Sequence, residues 1–357
     1  RLASLQRGRV QVETQPAPMR AMRGQTDHVI LIDGTMSSLE PGSETNIGQI
    51  YRLLQAAPHV RPLSIYYEAG VQWEMWREIA DVAMGRGIDD QILRAYGWLA
   101  TRYRAGDRIY LLGYSRGAFA VRSLAGIIDR VGLLRSAEAT ERNIRLAYRY
   151  YQAPETRPGQ RVFHDKFCHA DVMVEMIGVF DTVKALGLRL PFLWMLTDPK
   201  HKFHNQALSR VVRHGYQALA RDETRAVFEP ILWRTDGGTP GADWKGRVEQ
   251  VWFRGAHGDV GGHLGGFDAA RPLANIPLIW MLDRVQSHGL SLPDGWKARL
   301  PVDENAPSVG TTRGWGKLFL FRERRVVGAD PSESLHGTAV ASARARGVPG
   351  LARVGRA

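Results

Sequence analysis

The five residues Gly113-Tyr114-Ser115-Arg116-Gly117 constrain the fold of this chain more than any other stretch. They follow directly on Arg108-Ile109-Tyr110-Leu111-Leu112, which reads as a strand, and precede Ala118 to Ile128, apolar at helical spacing. A Gly-x-Ser-x-Gly bridge between strand and helix is a sharp, strained turn that lifts the serine oxygen above a sheet. Gly113 and Gly117 leave room where side chains would strike neighbouring backbone. The N–H of Arg116 would face a developing oxyanion at the helix N-terminus. With 38 Gly in 357 residues, chance alone gives the bare pattern in roughly one such chain in six. Its position between strand and helix is what carries the argument.

The surrounding sequence supplies a sheet for that turn. His28 to Ile32 is a short apolar run ended by Asp33-Gly34-Thr35, and Arg61 to Tyr67 is a second strand. Met173 to Phe180 ends at Asp181-Thr182, and Val248 to Phe253 ends in a Gly-rich loop that contains His257. Helical patterns fall at Thr45 to Leu54, Ile88 to Tyr103 and Leu273 to Val285, the last of which tolerates Pro277 if it falls in the first turn. Alternating strands and helices predict an α/β fold: a mostly parallel sheet with helices on both faces, of the α/β-hydrolase type. One domain is expected over 27–339, with 185–245 as an insertion or lid between the acid and histidine strands. Residues 1–26 and 340–357 read as basic, flexible tails.

In such sheets function gathers at the carboxyl ends of the strands. Ser115, Asp181 and His257 each fall just past a strand end, in the order nucleophile, acid, histidine that this fold uses. Ser115 is the candidate nucleophile, His257 the base and Asp181 its orienter; a helix N-cap is the alternative role for Asp181. His336 is an alternative base. The oxyanion hole is assigned to the backbone of Arg116 with Thr35 or Met36, and Asp33 and Asp259 to supporting the loops. Two rivals remain: a divalent-metal hydrolase built on Asp33, His257, Asp259 and His263, whose spacing matches no recognised ligand motif, and a non-catalytic binding protein with this fold. No cofactor is expected.

The ordered motifs resemble a known family, the α/β-hydrolase domain typified by type VI secretion phospholipase effectors. The resemblance runs from about residue 28 to 340. It rests on Ile32-Asp33-Gly34-Thr35 with Thr45-Asn46, on Gly106-Asp107-Arg108-Ile109 leading into the serine turn, and on Phe180-Asp181-Thr182-Val183. Asp222-Glu223-Thr224-Arg225, with Phe228, Pro230 and Trp233, and Val251 through Gly262 complete it. It implies Ser115, Asp181 and His257 as nucleophile, acid and base, and hydrolysis of carboxylic esters, phospholipid among them. The chain departs from the family in having Met36 where an aromatic residue is usual, Gln217 where His is common and Asn275 where Asp is common.

The net charge of +12 invites a nucleic-acid or membrane reading, but eight of those charges sit in the two tails, four in each. A specific nucleic-acid partner is therefore not expected; loose contact with an anionic membrane is. Leu186 to Leu196, apolar and followed by Lys200 and Lys202, reads either as core or as a lid over a lipid-binding site. The single cysteine, Cys168, excludes an intrachain disulfide and reads as a small core residue. No stretch is apolar enough to span a bilayer and no secretory leader is visible, so a soluble cytoplasmic protein is the expectation, with signal-less secretion left open. Oligomeric state is not legible.

Overall fold

Asp27–Ile32 forms strand β1 and is buried at every position. A strand covered on both faces reads as a continuous apolar run rather than as alternation. The computed structural model of the protein describes residues 24–70, 86–153, 157–183, 207–235, 245–312, 321–340 and 355–356. After β1 come α1 (Asn46–Ala56), β2 (Leu63–Glu68), α2 (Arg86–Arg102), β3 (Arg108–Tyr114) and α3 (Arg116–Arg130). Then follow α4 (Glu141–Gln152), α5 (Gln160–Phe167), β4 (Val174–Phe180), β5 (Val212–Ala220), β6 (Val248–Phe253), α6 (His257–Gly261), α7 (Arg271–Ser287), β7 (Glu333–Leu335) and β8 (Gly355–Arg356).

The strands make one sheet in the order β2-β1-β3-β4-β5-β6-β7-β8, parallel throughout. Alternate residues of each strand serve opposite faces. Ile30, Leu111 and Ile177 pack with Ile92, Leu99 and Leu124 of α2 and α3. Leu31, Leu112 and Met176 pack on the other face with Ile47 and Ile50 of α1 and Leu278 and Met281 of α7. Chain direction across the sheet reverses between β1 and β3, since β2 lies on one side of β1 and all later strands on the other. A reversal of this kind opens a crevice at the carboxyl ends of the two strands.

Three expectations need revision. The 185–245 stretch, read as insertion or lid, contains β5, which sits inside the sheet between β4 and β6. Its polar Gln217 is wholly buried yet satisfied: its carbonyl accepts from Thr182 Oγ1 at 2.8 Å and its amide donates to the Ile231 carbonyl at 3.0 Å. Pro277 is not in the first turn of its helix; α7 starts at Arg271, with Pro272 in that turn, and Pro277 lies one turn further in. Without an N–H there, the Leu273 carbonyl loses its ordinary helical donor. His257 opens a short helix, α6, rather than sitting within a loop. Residues 186–196, weighed as core or lid, lie outside the described residues, as do nearly all of the two tails.

Candidate active site

The serine turn shows why its glycines are there. A Cβ on Gly117 would lie 2.1 Å from the Ile32 carbonyl oxygen of β1, and one on Gly113 would lie 2.6 Å from the Gly117 carbonyl oxygen. Backbone cannot yield as a flexible side chain would, so both positions are closed to any larger residue. Ser115 itself has φ 58° and ψ −118°, a conformation costly for a residue with a side chain. Its N–H donates to the Phe180 carbonyl at 3.0 Å, and its carbonyl accepts from Phe119 N–H at 3.3 Å, which locks the turn to β4 and to α3.

His257 meets this serine from the end of β6. Its Nε2 lies 2.9 Å from Ser115 Oγ, and its Nδ1 lies 2.5 Å from Asp181 Oδ2. The imidazole is sandwiched between two rings, Tyr114 at 4.9 Å and Phe228 at 4.6 Å between centroids. Tyr114 Oη also donates to the His257 carbonyl at 3.2 Å. The sandwich fixes the ring plane, and the two hydrogen bonds fix its rotation. His336 is elsewhere: its Nδ1 pairs with Thr338 Oγ1 at 2.8 Å and its ring stacks on Phe253. It is Nε2 of His257 that faces Ser115.

Asp181 follows β4 with φ 43°, and its N–H donates to the Ala218 carbonyl at 2.8 Å. It caps no described helix; its carboxylate points at His257 and accepts Ala220 N–H at 3.0 Å. A residue that no sequence motif marks, Arg325, grips the same carboxylate, at 2.5 Å to Oδ1 and 2.9 Å to Oδ2. Burial alone would raise the Asp181 carboxyl, but the Arg325 guanidinium and the His257 contact outweigh it and hold it well below the usual carboxylate range.

A second carboxylate, Glu223, accepts the backbone N–H of His257 at 3.1 Å. Burial would raise it, and its pairing with Arg225 brings it below the ordinary value instead. Asp259 holds the far side of the histidine turn: Oδ2 accepts Ala256 N–H at 2.7 Å and Oδ1 accepts Val309 N–H at 2.8 Å. Burial pushes its carboxyl up.

The loop after β1 lies beside the serine. Gly34 to Ser37 is a tight turn closed by Ser37 N–H to the Gly34 carbonyl at 3.2 Å, with Met36 at φ 61° and its side chain half exposed. The Arg116 guanidinium donates to Thr35 Oγ1, so the structure brings Thr35 and Arg116 together. Asp33 anchors this loop, accepting from Gly34 N–H at 2.6 Å, Tyr67 Oη at 2.8 Å and Thr45 Oγ1 at 2.7 Å. Burial raises the Asp33 carboxyl to about 6 against these donors. Asp33 and Asp259 are thus each occupied by hydrogen bonds that tie their loops to neighbouring segments. Among the described residues no group of three or more His, Cys, Asp or Glu is placed to hold a metal ion. Nor is any described helix long and apolar enough to cross a membrane.

A hydroxyl, an imidazole and a buried carboxylate in this hydrogen-bonded line can activate a serine as a nucleophile. Beside it lie the N-terminus of α3 and a turn of backbone N–H groups after β1.

Residues 27–284 match the family model described as T6SS, phospholipase effector Tle1-like, catalytic domain. Over 231 residues the chain is 27% identical to the uncharacterized protein YEL023C of Saccharomyces cerevisiae, a match covering 57% of this chain and 32% of that protein. Among solved structures it is similar to an uncharacterized protein from Pseudomonas aeruginosa, with a TM-score of 0.44 and 18% identity over 80% of this chain and 50% of that one. It is also similar to the Tle1 effector bound to the VgrG spike of the type 6 secretion system, with a TM-score of 0.36 and 16% identity over 73% and 58% of the two chains. The chain spans about a third of the length of the curated relative and half of the first of these structures.

Proposed function

Because this chain belongs to the family of type VI secretion phospholipase effector, Tle1-like catalytic domains, we propose that it hydrolyses carboxylic esters of lipids through an acyl-enzyme on Ser115. The observation that carries this reading is the unbroken line Ser115 Oγ to His257 Nε2 at 2.9 Å and His257 Nδ1 to Asp181 Oδ2 at 2.5 Å. Ser115 Oγ attacks the ester carbonyl carbon while its proton passes to His257 Nε2. Charge developing on the carbonyl oxygen is met by the Arg116 N–H at the head of α3 and by the N–H of Thr35 or Met36. The imidazolium, stabilised by Asp181, returns the proton to the leaving alkoxide. Water, deprotonated by the same imidazole, then clears the acyl group as a carboxylic acid.

This chemistry cuts the acyl bond and leaves phosphate esters intact, and that difference tests it. Incubated with phosphatidylglycerol vesicles, the protein is expected to release free fatty acid and lysophospholipid, read by mass spectrometry. Release of phosphatidic acid or of a phosphorylated headgroup would mean that a phosphoester is being cleaved, and would rule the reading out.

A further inference from the structure

The acid of the proposed triad is held from two sides, by His257 and by a cation that none of the sequence motifs includes. The Arg325 side chain is 5% exposed and Asp181 is fully buried. Its guanidinium spends its donors on both Asp181 oxygens, on the Ala220 carbonyl at 2.7 Å and on the Phe228 carbonyl. A planar fork that meets a carboxylate at two points fixes its orientation, which a lysine at the same place would not do. Arg325 lies beyond residue 284, where the family match ends.

The segment that delivers it is built into the site. Ala226 N–H donates to the Phe321 carbonyl at 3.1 Å, and Glu323 N–H to the Thr224 carbonyl at 2.7 Å. Arg225 and Arg322 pair as an antiparallel bridge. Residues 321–325 thus run alongside 224–226 and lead Arg325 beneath the carboxylate. The carbonyl it grips belongs to Phe228, whose ring stacks on the imidazole. One guanidinium therefore fastens the acid and one wall of the imidazole sandwich together.

We propose that Arg325 is a positioning residue of the site: it fixes the edge that Asp181 turns to His257 and moderates the negative charge that the imidazole experiences. The inference rests on the triad assigned above. It has an electrostatic signature that a merely structural staple lacks. An Asp181 carboxylate without its cation would stabilise the imidazolium more strongly, so the imidazole would keep its proton to higher pH. The other groups around the ring stay in place: Glu223 paired with Arg225, Asp222 paired with Arg221, the Tyr114 hydroxyl, and His263 two residues past α6.

The test is the rate of covalent labelling of the full chain by a fluorophosphonate between pH 5 and 9, for wild type, Arg325→Gln and Arg325→Lys, with Ser115→Ala as control. Arg325→Gln is expected to label about tenfold more slowly on the alkaline plateau, with its acidic limb moved up by about half to one pH unit. Arg325→Lys, which keeps the charge and loses the fork, should retain the wild-type limb while labelling about threefold more slowly. Wild-type labelling of Ser115 with an unchanged Arg325→Gln profile, or a Lys limb displaced as far as that of Gln, overturns the inference alone. A wild-type Ser115 that takes no label overturns the triad, and this inference with it. Should Arg325→Gln lack the wild-type circular dichroism spectrum, Arg325→Lys decides: a threefold loss supports the role and a wild-type rate overturns it.

Discussion

Ser115→Ala is expected to lower kcat for a short acyl ester such as p-nitrophenyl butyrate by about 10⁴–10⁶-fold, with little change in the melting temperature. The variant keeps the N–H groups proposed as oxyanion donors, so a residual rate above that of water should survive. What it loses is the oxygen that sits 2.9 Å from His257 Nε2. Among the described residues no other hydroxyl contacts that nitrogen, so none of them replaces it. Steady-state kinetics on the purified variant measure the loss, and a decrease of less than about a hundredfold would place the nucleophile elsewhere.

Asp181→Asn should cost nearly as much, about 10⁴-fold in kcat, and should cost stability as well. An amide sets an NH2 donor on one of the two edges where the carboxylate only accepts, so either the imidazole or the guanidinium and the Ala220 N–H then meet a donor, and the imidazole turns to the wrong tautomer or loses its orientation. Arg325, nearly buried, would then face no carboxylate at all. Removing one partner of a buried ion pair typically costs about 3–5 kcal/mol, which urea denaturation would read.

The pH dependence of stability follows from the direction of the Asp181 shift. Its carboxyl lies below the ordinary range when folded, so its contribution is present above the unfolded value near ~4 and is lost as pH falls through the folded one. Asp33 acts in the opposite sense. Its carboxyl is raised to about 6, so its contribution is present below the unfolded value and is lost as pH rises through 6. The loop beside the serine is therefore anchored by a group that is costly to hold ionised at neutral pH, while the Asp181 carboxylate is most secure there.

Much of this was legible in the sequence because strand ends declare themselves. β1, β3 and β4 are mostly apolar runs cut off by Asp-Gly, Gly-x-Ser and Asp-Thr, β6 closes on Val-Trp-Phe before its Gly-rich turn, and a parallel sheet places such ends on one edge. The glycines flanking Ser115 follow from sterics alone, and the distances to Ile32 and Gly117 show the clash that their absence of side chain avoids. β5 was illegible because Arg213, His214, Gly215 and Gln217 interrupt its apolar pattern. A buried Gln in a central strand is tolerable only through partners, Thr182, Arg122 and Ile231, that are distant in sequence. Arg325 was illegible for a related reason. It stands in a run of charged residues, 144 positions from the carboxylate it grips, and nothing local separates it from Arg322 or Arg324. The role of Glu223 at the histidine backbone was equally hidden, although its Asp-Glu-Thr-Arg motif was visible.

Intact-mass spectrometry after treatment with a fluorophosphonate tests the central claim most directly. The account predicts a single covalent adduct, mapped by proteolysis to the peptide carrying Ser115, absent from Ser115→Ala and nearly absent from His257→Ala. An unmodified protein, or an adduct on any other residue, would contradict it.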